Sequence, residues 1–351
     1  MRDPKVAVLV LCTNEKRFLK GVLNSLLNQT YKNIRIYVLD NNSTDGSSKL
    51  ISDFKLKILN LKHIHFTSDL GYAKGNNKGL EKAFREGADL CLVLNSDIIF
   101  ERNMVAGLVA TYQEKKEEDI KVGLIQPVVL IAKDRTKVNT TGNAIHYLGF
   151  GYCQDLFKKY RLIKKNKEII SASGTAVLIP KSYYEDIGGF DETFFMYTED
   201  QDLSWRGLIA GYRHFLAANS VVFHYYQFSR YKLKKYQEEK NRLMILLKNY
   251  SIKSLILLGP MLLANEVAMI LYSLFEGWFF LKIKTYWVIL INLKNILKNR
   301  KKIQTKRIIA DKILFSKFKA TIYFKPINNF IVRNFANPIY WLYYRLVYIF
   351  I

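Results

Sequence analysis

The chain has 351 residues, half of them hydrophobic, and a formal net charge of +24. This length and apolar content exclude a single small domain and are ample for a large buried core. The charge is unevenly distributed, because the stretch from Arg230 onwards has 23 Lys and Arg against 5 Asp and Glu, whereas residues 1–229 carry only +6. In the basic stretch, Lys and Arg alternate with long apolar and aromatic blocks, which favours anionic lipid over nucleic acid as its partner.

The first elements of the chain alternate between strand and helix. Residues 5–12 and 89–94 are continuous apolar runs, typical of strands buried on both faces. Further strands are predicted at residues 34–39 and 64–67, and a helix is predicted at residues 73–85. This alternation predicts an α/β sheet with parallel strands. Polar clusters follow the strands, at the sheet edge where such folds bind ligands.

The cysteines and the N-terminus indicate a protein of a reducing compartment. Cys12, Cys91 and Cys153 form no CxxC pair, so neither a disulfide framework nor a zinc site is predicted from them. The short apolar run Val6–Leu11 leads into a polar turn without an evident cleavage site. We expect a first strand there, and no signal peptide.

The middle of the chain is more β-like and less regular. Strands are predicted at Val122–Leu130 and Ala172–Ile179, joined by a polar, basic stretch. Residues 200–210 are predicted to be a helix, and residues 212–223 a strand that ends near His224.

The basic C-terminal region contains one long apolar block, residues 254–281, in which only Glu266 and Glu276 are charged. The block is long enough to cross a bilayer, but Pro260, Asn265 and Glu266 suit a lipid-facing helix poorly. Trp, Tyr, Lys and Arg beside apolar runs are typical of a membrane interface. We expect peripheral or monotopic membrane association rather than a full span. A soluble helical cap and an oligomer interface remain as alternatives, and the oligomeric state is left open.

Two polar clusters after early strands are candidates for a nucleotide site. In residues 40–47, Asp40 can accept hydrogen bonds from a base edge or a ribose diol, although a capped turn with Asp45 or Ser47 at the helix start explains the same residues. In residues 71–79, glycines allow a ligand to approach the backbone, and Lys74 can meet phosphate. That cluster is not GxGxxG and follows the third strand, which argues against a dinucleotide site; ordinary helix N-terminus chemistry is its alternative.

Asn95-Ser96-Asp97 follows a buried strand and is a candidate metal motif. Hard divalent cations prefer oxygen ligands and commonly retain water and substrate phosphate. Only Asp97 is charged, so a metal there needs a further ligand, for which His224 is the candidate. A structural histidine is the alternative.

Three carboxylates stand within four positions at Glu199, Asp200 and Asp202. Acidic residues suit the first turn of a helix, so N-capping is the simpler explanation. A carboxylate near an acceptor hydroxyl can also act as a general base. Helical spacing places Glu199 and Asp202 on one face and Asp200 on another. Trp205 is expected to be a packing residue, and Arg206 can pair with a carboxylate or reach a phosphate.

The order of these motifs resembles a known family. The motifs are, in order, TNE, DNNSTDGS, GYAKGNNKG, LNSD, SGTAVLIP, GGFDETFFMYTEDQDLSWR and an isolated His. Over residues 5–226 this order resembles the inverting family 2 glycosyltransferases of the GT-A fold, notably their rhamnosyltransferase-like branch. The resemblance implies an α/β, Rossmann-like catalytic domain at residues 1–229 with a mostly parallel central sheet. A basic, apolar α-helical region at residues 230–351 would follow, associated with a membrane.

The resemblance also implies roles for individual residues. Asp200 would be the general base, with Glu199 beside it, and Asp97 and His224 would bind the metal. Residues of the donor site would be Thr13, Asn14, Glu15, Asp40, Asn42, Asp45, Gly71, Lys74, Gly75, Asn76, Asn95, Ser96 and Asp97. Residues on the acceptor side would be Gly174, Trp205 and Arg206. Two positions depart from the family pattern, because Asn95 replaces the first Asp of the strict DxD motif and Asp69 stands where Asn is common.

The expected function is transfer of a sugar from a nucleoside-diphosphate-sugar to a hydroxyl of a lipid-linked or membrane-proximal glycan acceptor. The reaction would invert the anomeric carbon, use manganese or magnesium, and take place at the cytoplasmic face of the cell membrane. A nucleotidyltransferase is an alternative, but it would more often have a Gly-rich basic loop after the first strand. A protein that binds nucleic acid or anionic lipid without catalysis would explain the charge, yet +18 of the +24 lies from Arg230 onwards.

Overall fold

The structure is a computed structural model that describes residues 3–227 and 231–351. Contacts between residues divide the chain into two compact units. The first comprises Met1–Asn143, Cys153–Gly207 and Tyr212–Gln227, and the second comprises Ala144–Tyr152, Leu208–Gly211 and Phe228–Ile351. The predicted boundary between residues 229 and 230 lies outside the described residues.

The first half of the first unit alternates regularly between strand and helix, as predicted. Its elements are β1 (Val6–Cys12), α1 (Lys16–Leu27), β2 (Ile34–Asn41), α2 (Ser47–Lys55), β3 (Leu61–Phe66), α3 (Gly71–Arg85) and β4 (Leu90–Asn95). The elements that follow along the chain are β5 (Ile98–Phe100), α4 (Met104–Glu117), β6 (Val122–Ile131), β7 (Asp134–Thr140), β8 (Asn143–Ile145), β9 (Gly151–Cys153), β10 (Lys167–Ile169), β11 (Ala176–Pro180), α5 (Lys181–Ile187), α6 (Glu199–Ile209) and β12 (Arg213–His224). Most of β8 and β9 belongs to the segment Ala144–Tyr152 of the second unit.

One large sheet organises the first unit, with the strand order β10-β12-β6-β11-β4-β1-β2-β3. Strands β4, β1, β2 and β3 are mutually parallel, and β6 and β12 are parallel to each other. Strand β11 joins these two parts as an antiparallel partner of both β4 and β6. The predicted α/β class with parallel central strands is therefore confirmed.

The core of this unit follows from the apolar runs of the sequence. Val8 and Leu9 point to opposite faces of β1 and both have no exposed surface, because a central parallel strand is covered by helices on its two faces. Helix α1 buries Leu19, Val22 and Leu23 at helical spacing against the sheet. The sheet therefore holds the carboxyl ends of β1, β2 and β4 at one edge.

The strand predicted at Ala172–Ile179 is shorter than expected, since β11 begins only at Ala176. The backbone N–H of Ser173 donates to Gln126 Oε1 at 2.7 Å, and that of Gly174 donates to Asp200 Oδ2 at 2.8 Å. These amide groups are satisfied by side chains and not by a neighbouring strand. Residues 172–175 are consequently a loop held at the sheet edge.

The second unit is helical in its C-terminal part. Its helices are α7 (Lys232–Asn249), α8 (Ile252–Phe275), α9 (Phe279–Ile291), α10 (Leu293–Thr305), α11 (Asp311–Lys317) and, after a π-helical turn at Val332–Ala336, α12 (Asn337–Phe350). The apolar block at residues 254–281 is not one continuous helix. It is interrupted at Gly277, whose φ of +68° belongs to the left-handed region that glycine adopts readily. The only described helix with the length and apolar composition of a membrane span is α8.

A buried charge cluster of Glu239, Arg242, Glu266 and Lys282 ties α7, α8 and α9 together. Arg242 donates through Nε to Glu239 at 2.8 Å and also reaches Glu266. Lys282, which has no exposed surface, donates to Glu239 at 2.6 Å and to Glu266 at 2.7 Å. Because each acid faces two cations, Glu266 is neutralised within the unit although it lies in the middle of α8.

Candidate active site

The turns after β1 and β2 are joined by side-chain hydrogen bonds. Asn41 Nδ2 donates to Thr13 Oγ1 at 3.0 Å, and Asn14 Oδ1 accepts from the backbone N–H of Thr44 at 2.7 Å. Asn14 and Asn42 have φ values of +54° and +59°, a conformation that asparagine tolerates better than most residues. The predicted donor residues Thr13, Asn14 and Asn42 therefore lie together at the carboxyl edge of the sheet.

Asp40 is fully buried at the end of β2. Its Oδ1 accepts from the backbone N–H of Ser43 at 3.0 Å, and its Oδ2 contacts the Ser48 hydroxyl and lies 3.2 Å from His65 Nδ1. Burial opposes ionisation, but the hydrogen bonds from Ser48, Ser43 and His65 bring the pKa of Asp40 below its ordinary value. Asp40 is thus an oriented carboxylate.

Asp45 stabilises the same loop. Its Oδ2 accepts from the backbone N–H of Lys16 at 2.9 Å, and its Oδ1 accepts from the backbone N–H and the hydroxyl of Ser47 at 3.0 and 2.6 Å. These bonds connect the starts of α1 and α2. The expected role of Asp45 in shaping the loop agrees with this geometry, and so does the capped-turn alternative.

Gly71 begins α3 in a position that only glycine fits. Its φ is +70°, and an added Cβ would lie 2.5 Å from the backbone oxygen of Phe195. Asp69 Oδ1 accepts from the Gly71 N–H at 2.8 Å and from Asn41 Nδ2 at 2.6 Å. The departure at Asp69 therefore has a structural use, because its carboxylate links α3 to β2.

The other predicted donor residues of α3 differ in exposure. Gly75 and Asn76 are buried, and Asn76 Nδ2 donates to Tyr72 O at 3.0 Å. The Oδ1 of Asn76 is buried and makes no hydrogen bond within the described chain. Lys74 is exposed, which suits a contact with a charged ligand in solution.

Asp97 and His224 meet although 127 positions separate them, with His224 Nε2 3.2 Å from Asp97 Oδ2. The antiparallel pairing of β5 with β12 aligns His224 with Ile98, the neighbour of Asp97. Burial disfavours the charged form of Asp97, but His224, a backbone hydrogen bond and Arg17 together lower the pKa of Asp97 below its ordinary value. The two predicted metal ligands are therefore adjacent.

The surroundings of this pair fit a divalent cation. His224 Nδ1 lies 2.8 Å from Asn139 Oδ1, which leaves Nε2 directed at the carboxylate of Asp97. Such a second partner commonly orients a metal-binding imidazole. A carboxylate oxygen of Glu15 is buried without a hydrogen bond to any described residue, and burial together with the charge of Asp97 raises the pKa of Glu15. A cation beside Asp97 would satisfy this set of oxygen and nitrogen donors.

Asp200 lies in the first turn of α6. Its Oδ2 accepts from Gly174 N–H at 2.8 Å, and its Oδ1 accepts from the backbone N–H of Gln201 at 2.8 Å. Burial raises the pKa of Asp200 even though these two bonds favour the carboxylate. A carboxylate of raised proton affinity, fixed by backbone donors, is suited to accept a proton.

Glu199 and Asp202 differ from Asp200 in their surroundings. Glu199 is buried, and burial together with the charge of Asp200 raises the pKa of Glu199 well above its ordinary value. Asp202 is also buried and accepts from Arg206 Nε at 2.7 Å. The three carboxylates thus differ: Glu199 has a raised pKa, Asp200 is the candidate base, and Asp202 is the partner of a structural ion pair.

Trp205 and Arg206, expected on the acceptor side, both have structural surroundings in this chain. Trp205 has no exposed surface. Arg206 donates to Asp202 and also to two backbone oxygens, through Nη1 to that of Ile187 at 2.9 Å and through Nη2 to that of Gly189 at 2.7 Å. These three bonds, one from each nitrogen of the guanidinium, hold the connection between α5 and α6 in place.

The metal motif and the candidate base are connected through the loop before β11. Asn95 N–H donates to Thr175 O at 3.0 Å. Gly174, the residue before Thr175, donates its backbone N–H to Asp200 Oδ2. Tyr72 Oη donates to Gly174 O at 2.6 Å, which adds α3 to the same arrangement. The motifs at residues 71–76, 95–97, 174 and 199–200 are therefore assembled in one place.

Several residues of this region were not predicted from the sequence. Tyr72 stands in the motif GYAKGNNKG but was given no role, and Asn139 belongs to no motif. Only the fold reveals that they orient Gly174 and His224. Tyr197 and Thr198 have φ values of +69° and +62°, which are unusual for an aromatic and a β-branched residue and mark local strain before α6. His63 and His65 alternate along β3 toward Asp40, a spacing that the sequence does contain.

Comparison with known proteins identifies the family. The family model described as Glycosyl transferase family 2 matches residues 7–188. A curated relative, glycosyltransferase GlyG of Streptococcus pneumoniae, is 30% identical over 118 residues, which is 34% of this chain and 38% of the relative. Poly-beta-1,6-N-acetyl-D-glucosamine synthase of Staphylococcus epidermidis is 23% identical over 205 residues, 57% of this chain and 45% of the relative. The chain thus spans less than half the length of these curated relatives.

Solved structures share the fold at low sequence identity. GalNAc-T7, solved with UDP, GalNAc and Mn2+, superposes with a TM-score of 0.57 at 16% identity, over 72% of this chain and 49% of that one. Mannosyltransferase PcManGT from Pyrobaculum calidifontis, solved with GDP-Man and Mn2+, superposes with a TM-score of 0.52 at 15% identity, over 87% and 86% of the two chains. These likenesses support the GT-A fold and do not separate the rhamnosyltransferase-like branch from others.

Proposed function

This chain belongs to glycosyl transferase family 2, and from that premise we propose that it transfers a sugar from a nucleoside-diphosphate-sugar to a hydroxyl of a glycan acceptor, with inversion at the anomeric carbon. The observation that carries the proposal is the connection between Asn95 and Asp200 through Thr175 and Gly174. It supports the proposal because residues 95–97, the proposed metal and diphosphate motif, are linked by hydrogen bonds to the proposed general base. Family membership favours this reaction over nucleotidyl transfer.

The donor would bind at the carboxyl edge of the sheet. Asp40 is a buried, oriented carboxylate that can accept hydrogen bonds from the base or the ribose. The turn with Thr13 and Asn14 adjoins it, and Lys74 offers a positive charge for the diphosphate. The neighbouring folds solved with UDP and with GDP-Man support a nucleotide donor.

A divalent cation would be held by Asp97 and His224, with Asn139 orienting the imidazole. When bound, such an ion supplies positive charge to the diphosphate as it leaves. Asn95 adds no charge to the motif, so the protein contributes one carboxylate and one imidazole. Mn2+ in both solved neighbours supports manganese, which accepts an imidazole ligand.

Asp200 would remove the proton from the acceptor hydroxyl. The acceptor oxygen forms a bond to the anomeric carbon while the bond from that carbon to the phosphate oxygen breaks, and the hydroxyl proton passes to the Asp200 carboxylate. Backbone bonds from Gly174 and Gln201 fix the carboxylate, so little reorganisation is needed as the reaction proceeds. Glu199, kept neutral by burial, places no second full charge beside the base at neutral pH.

The second unit would attach the enzyme to an anionic membrane and present it to a lipid-linked or membrane-proximal acceptor. Of the 35 large hydrophobic residues that are exposed in the described chain, thirty lie after residue 230. They include Phe275, Phe280 and Trp287, which are 90%, 86% and 63% exposed, beside exposed lysines such as Lys284 and Lys294. Apolar and aromatic surface mixed with Lys suits the interface of an anionic bilayer.

We favour an orientation in which α8 lies at the cytoplasmic face over one in which it crosses the bilayer. Its 24 residues extend over about 36 Å, enough for a span by length alone. However, Glu266 is bonded to Arg242 and Lys282, and Asn265 accepts from Tyr340 Oη at 2.7 Å. A span would carry these partners, which lie on α7, α9 and α12, into the hydrocarbon as well.

A donor screen tests the proposed activity. The purified chain is incubated with UDP-, GDP- and TDP-sugars in the presence of Mn2+ or Mg2+, and release of the nucleoside diphosphate is measured. Release with at least one donor, abolished by Asp97→Asn, supports the proposal. Absence of both release and saturable binding across all donors and both metals would refute it.

Flotation with vesicles tests the membrane attachment. The protein should float with vesicles of anionic phosphatidylglycerol at low salt and much less with neutral phosphatidylcholine. Replacement of Phe275, Phe280 and Trp287 by Ser should weaken flotation without changing the donor-release rate in detergent. Equal recovery of the parent with both kinds of vesicle, or no flotation at all, would count against attachment to an anionic surface.

A further inference from the structure

Two histidines on β3 face the buried carboxylate of Asp40. Strand β3 is the terminal strand of the sheet, and its alternate residues His63 and His65 lie on one face. The parallel register aligns His65 with Asp40 and His63 with Val38 on β2. The three side chains consequently converge at the carboxyl end of β2.

The three ligand atoms have spacings that suit a small cation. His65 Nδ1 lies 3.2 Å from Asp40 Oδ2, and His63 Nε2 lies 3.5 Å from the same oxygen. All three atoms are within 4.8 Å of one another. Ligands about 2.0–2.1 Å from a tetrahedral ion are about 3.3 Å apart, so both histidine–carboxylate spacings match this geometry closely.

His63 has a nitrogen available for a ligand. Its Nε2 is buried and makes no hydrogen bond to any residue in the described part of the chain. A buried ring nitrogen without a hydrogen bond is costly unless a proton donor, an acceptor or a metal satisfies it. The side chain of His65 is 48% exposed, which leaves solvent access to the place where the three atoms meet.

We propose that Asp40, His63 and His65 form a binding site for a divalent ion of the zinc class, separate from the site at Asp97 and His224. Two imidazoles and one carboxylate are a donor set typical of zinc, whereas magnesium and calcium prefer oxygen ligands alone. A water or a ligand group would occupy the fourth position. The backbone N–H of Ser43 holds the other oxygen of Asp40 at 3.0 Å and orients the carboxylate toward the histidines.

Occupation of this site has a consequence for the reaction. This consequence rests on the proposed function, in which Asp40 accepts hydrogen bonds from the base or ribose of the donor. A cation bound to Asp40 Oδ2 would take a lone pair that the nucleotide needs. Zinc should therefore inhibit competitively with the nucleotide sugar, while manganese at Asp97 and His224 supports the reaction.

Direct metal titration tests the site without any donor. The EDTA-treated chain is titrated with Zn2+ by calorimetry, and with Co2+ while the visible absorption of a tetrahedral ion is followed. The matched variants are His224→Asn, which removes a ligand of the other site, and the double variant His63→Gln with His65→Gln. We expect His224→Asn to retain the tetrahedral Co2+ signal, and the double variant to lose it and to bind Zn2+ more than about 10-fold more weakly at this site.

The outcomes separate the site from the proposed enzymatic function. Unchanged zinc affinity and cobalt absorption in the double variant, with folding verified by circular dichroism, would overturn the site. If the parent and the double variant differ in zinc affinity but the parent releases no nucleotide from any donor, the site stands and the proposed function fails. If the enzyme is active and Zn2+ raises the donor KM of the parent and the double variant equally, the competitive consequence is wrong.

Discussion

The backbone N–H of Gly174 donates a hydrogen bond to Asp200 Oδ2 at 2.8 Å, across 26 positions of sequence. The peptide oxygen of the next residue, Thr175, accepts from Asn95 N–H at 3.0 Å. One short loop therefore holds both the first residue of the metal motif and the candidate base. The relationship explains why a loop, and not the predicted strand, occupies residues 172–175.

Replacement of Asp200 by Asn should reduce kcat by about 10²- to 10⁴-fold, because the amide cannot accept the acceptor's proton. Donor affinity should change little, since the proposed nucleotide contacts are elsewhere. The measurement is steady-state transfer together with donor binding by calorimetry.

Glu199→Gln is the matched control for that variant. It removes the adjacent carboxyl without changing its size, and Glu199 is already neutral at neutral pH in the proposed mechanism. It should retain most of the parent's kcat. If Asp200→Asn retained the parent kcat while Glu199→Gln lost it, the base assignment would belong to Glu199.

Glu199 should make the protein less stable as the pH rises. Burial and Asp200 raise the pKa of Glu199 in the folded chain, so above the ordinary glutamate value of about 4.3 the folded state holds a proton that the unfolded state has lost. The contribution of this group to the free energy of unfolding is fully present at acid pH and is lost as the pH rises through the raised pKa of the folded chain. The melting temperatures of the parent and Glu199→Gln should be similar near pH 4 and diverge in favour of the variant near pH 9. A constant difference at every pH would contradict this linkage.

Gly174→Ala should lower kcat with little effect on donor binding. The added Cβ would lie 2.9 Å from Tyr72 Oη and 3.5 Å from Asp200 Cβ, so the loop or the base must shift. Displacement of a catalytic group by about 1 Å can cost about 100-fold in rate.

Tyr72→Phe provides a test of the steric cause, because it removes the nearest atom that the new Cβ meets. The double variant Gly174→Ala with Tyr72→Phe should be faster than Gly174→Ala alone. If the fold-change in kcat of the double variant equals the product of the fold-changes of the two single variants, the two side chains act independently.

Removal of divalent metal should abolish transfer, and added Mn2+ should restore it. Without a cation held by Asp97 and His224, nothing at that site would offset the charge of the leaving diphosphate. Asn139→Ala should raise the Mn2+ activation constant by about 10- to 100-fold, since Asn139 Oδ1 holds His224 Nδ1 at 2.8 Å. The exposed Asn295 offers a matched Asn→Ala control. Full activity after exhaustive EDTA treatment would exclude the metal role.

Arg242→Met should destabilise the second unit by about 3–5 kcal/mol, because it leaves Glu239 and Glu266 buried with one cation fewer. Unfolding followed by circular dichroism in detergent measures the change. Arg333→Met, which removes an exposed charge of the same kind, should be nearly neutral. Equal losses in the two variants would show that the buried charge cluster has no special contribution.

Local sequence patterns were sufficient to predict the alternation of strands and helices in the first unit, because continuous apolar runs have no stable place except a covered strand. They also located Asp40 and Asp97, since polar residues at the ends of such strands collect at one edge of a parallel sheet. Asp200 was singled out differently, as one of three carboxylates at the start of a predicted helix. The helix at residues 200–210 and the strand ending near His224 were also predicted from local apolar patterns.

Only the tertiary structure decided which of these residues meet. His224 reaches Asp97 through the pairing of β12 with β5, and His63 and His65 reach Asp40 through the register of β3 on β2. Glu266 is an isolated acid in an apolar block by sequence, and its partners Arg242 and Lys282 come from other helices. The physical reason is the same in each case. A side chain's type is local information, whereas its partner, burial and proton affinity depend on strands and helices far away in the chain.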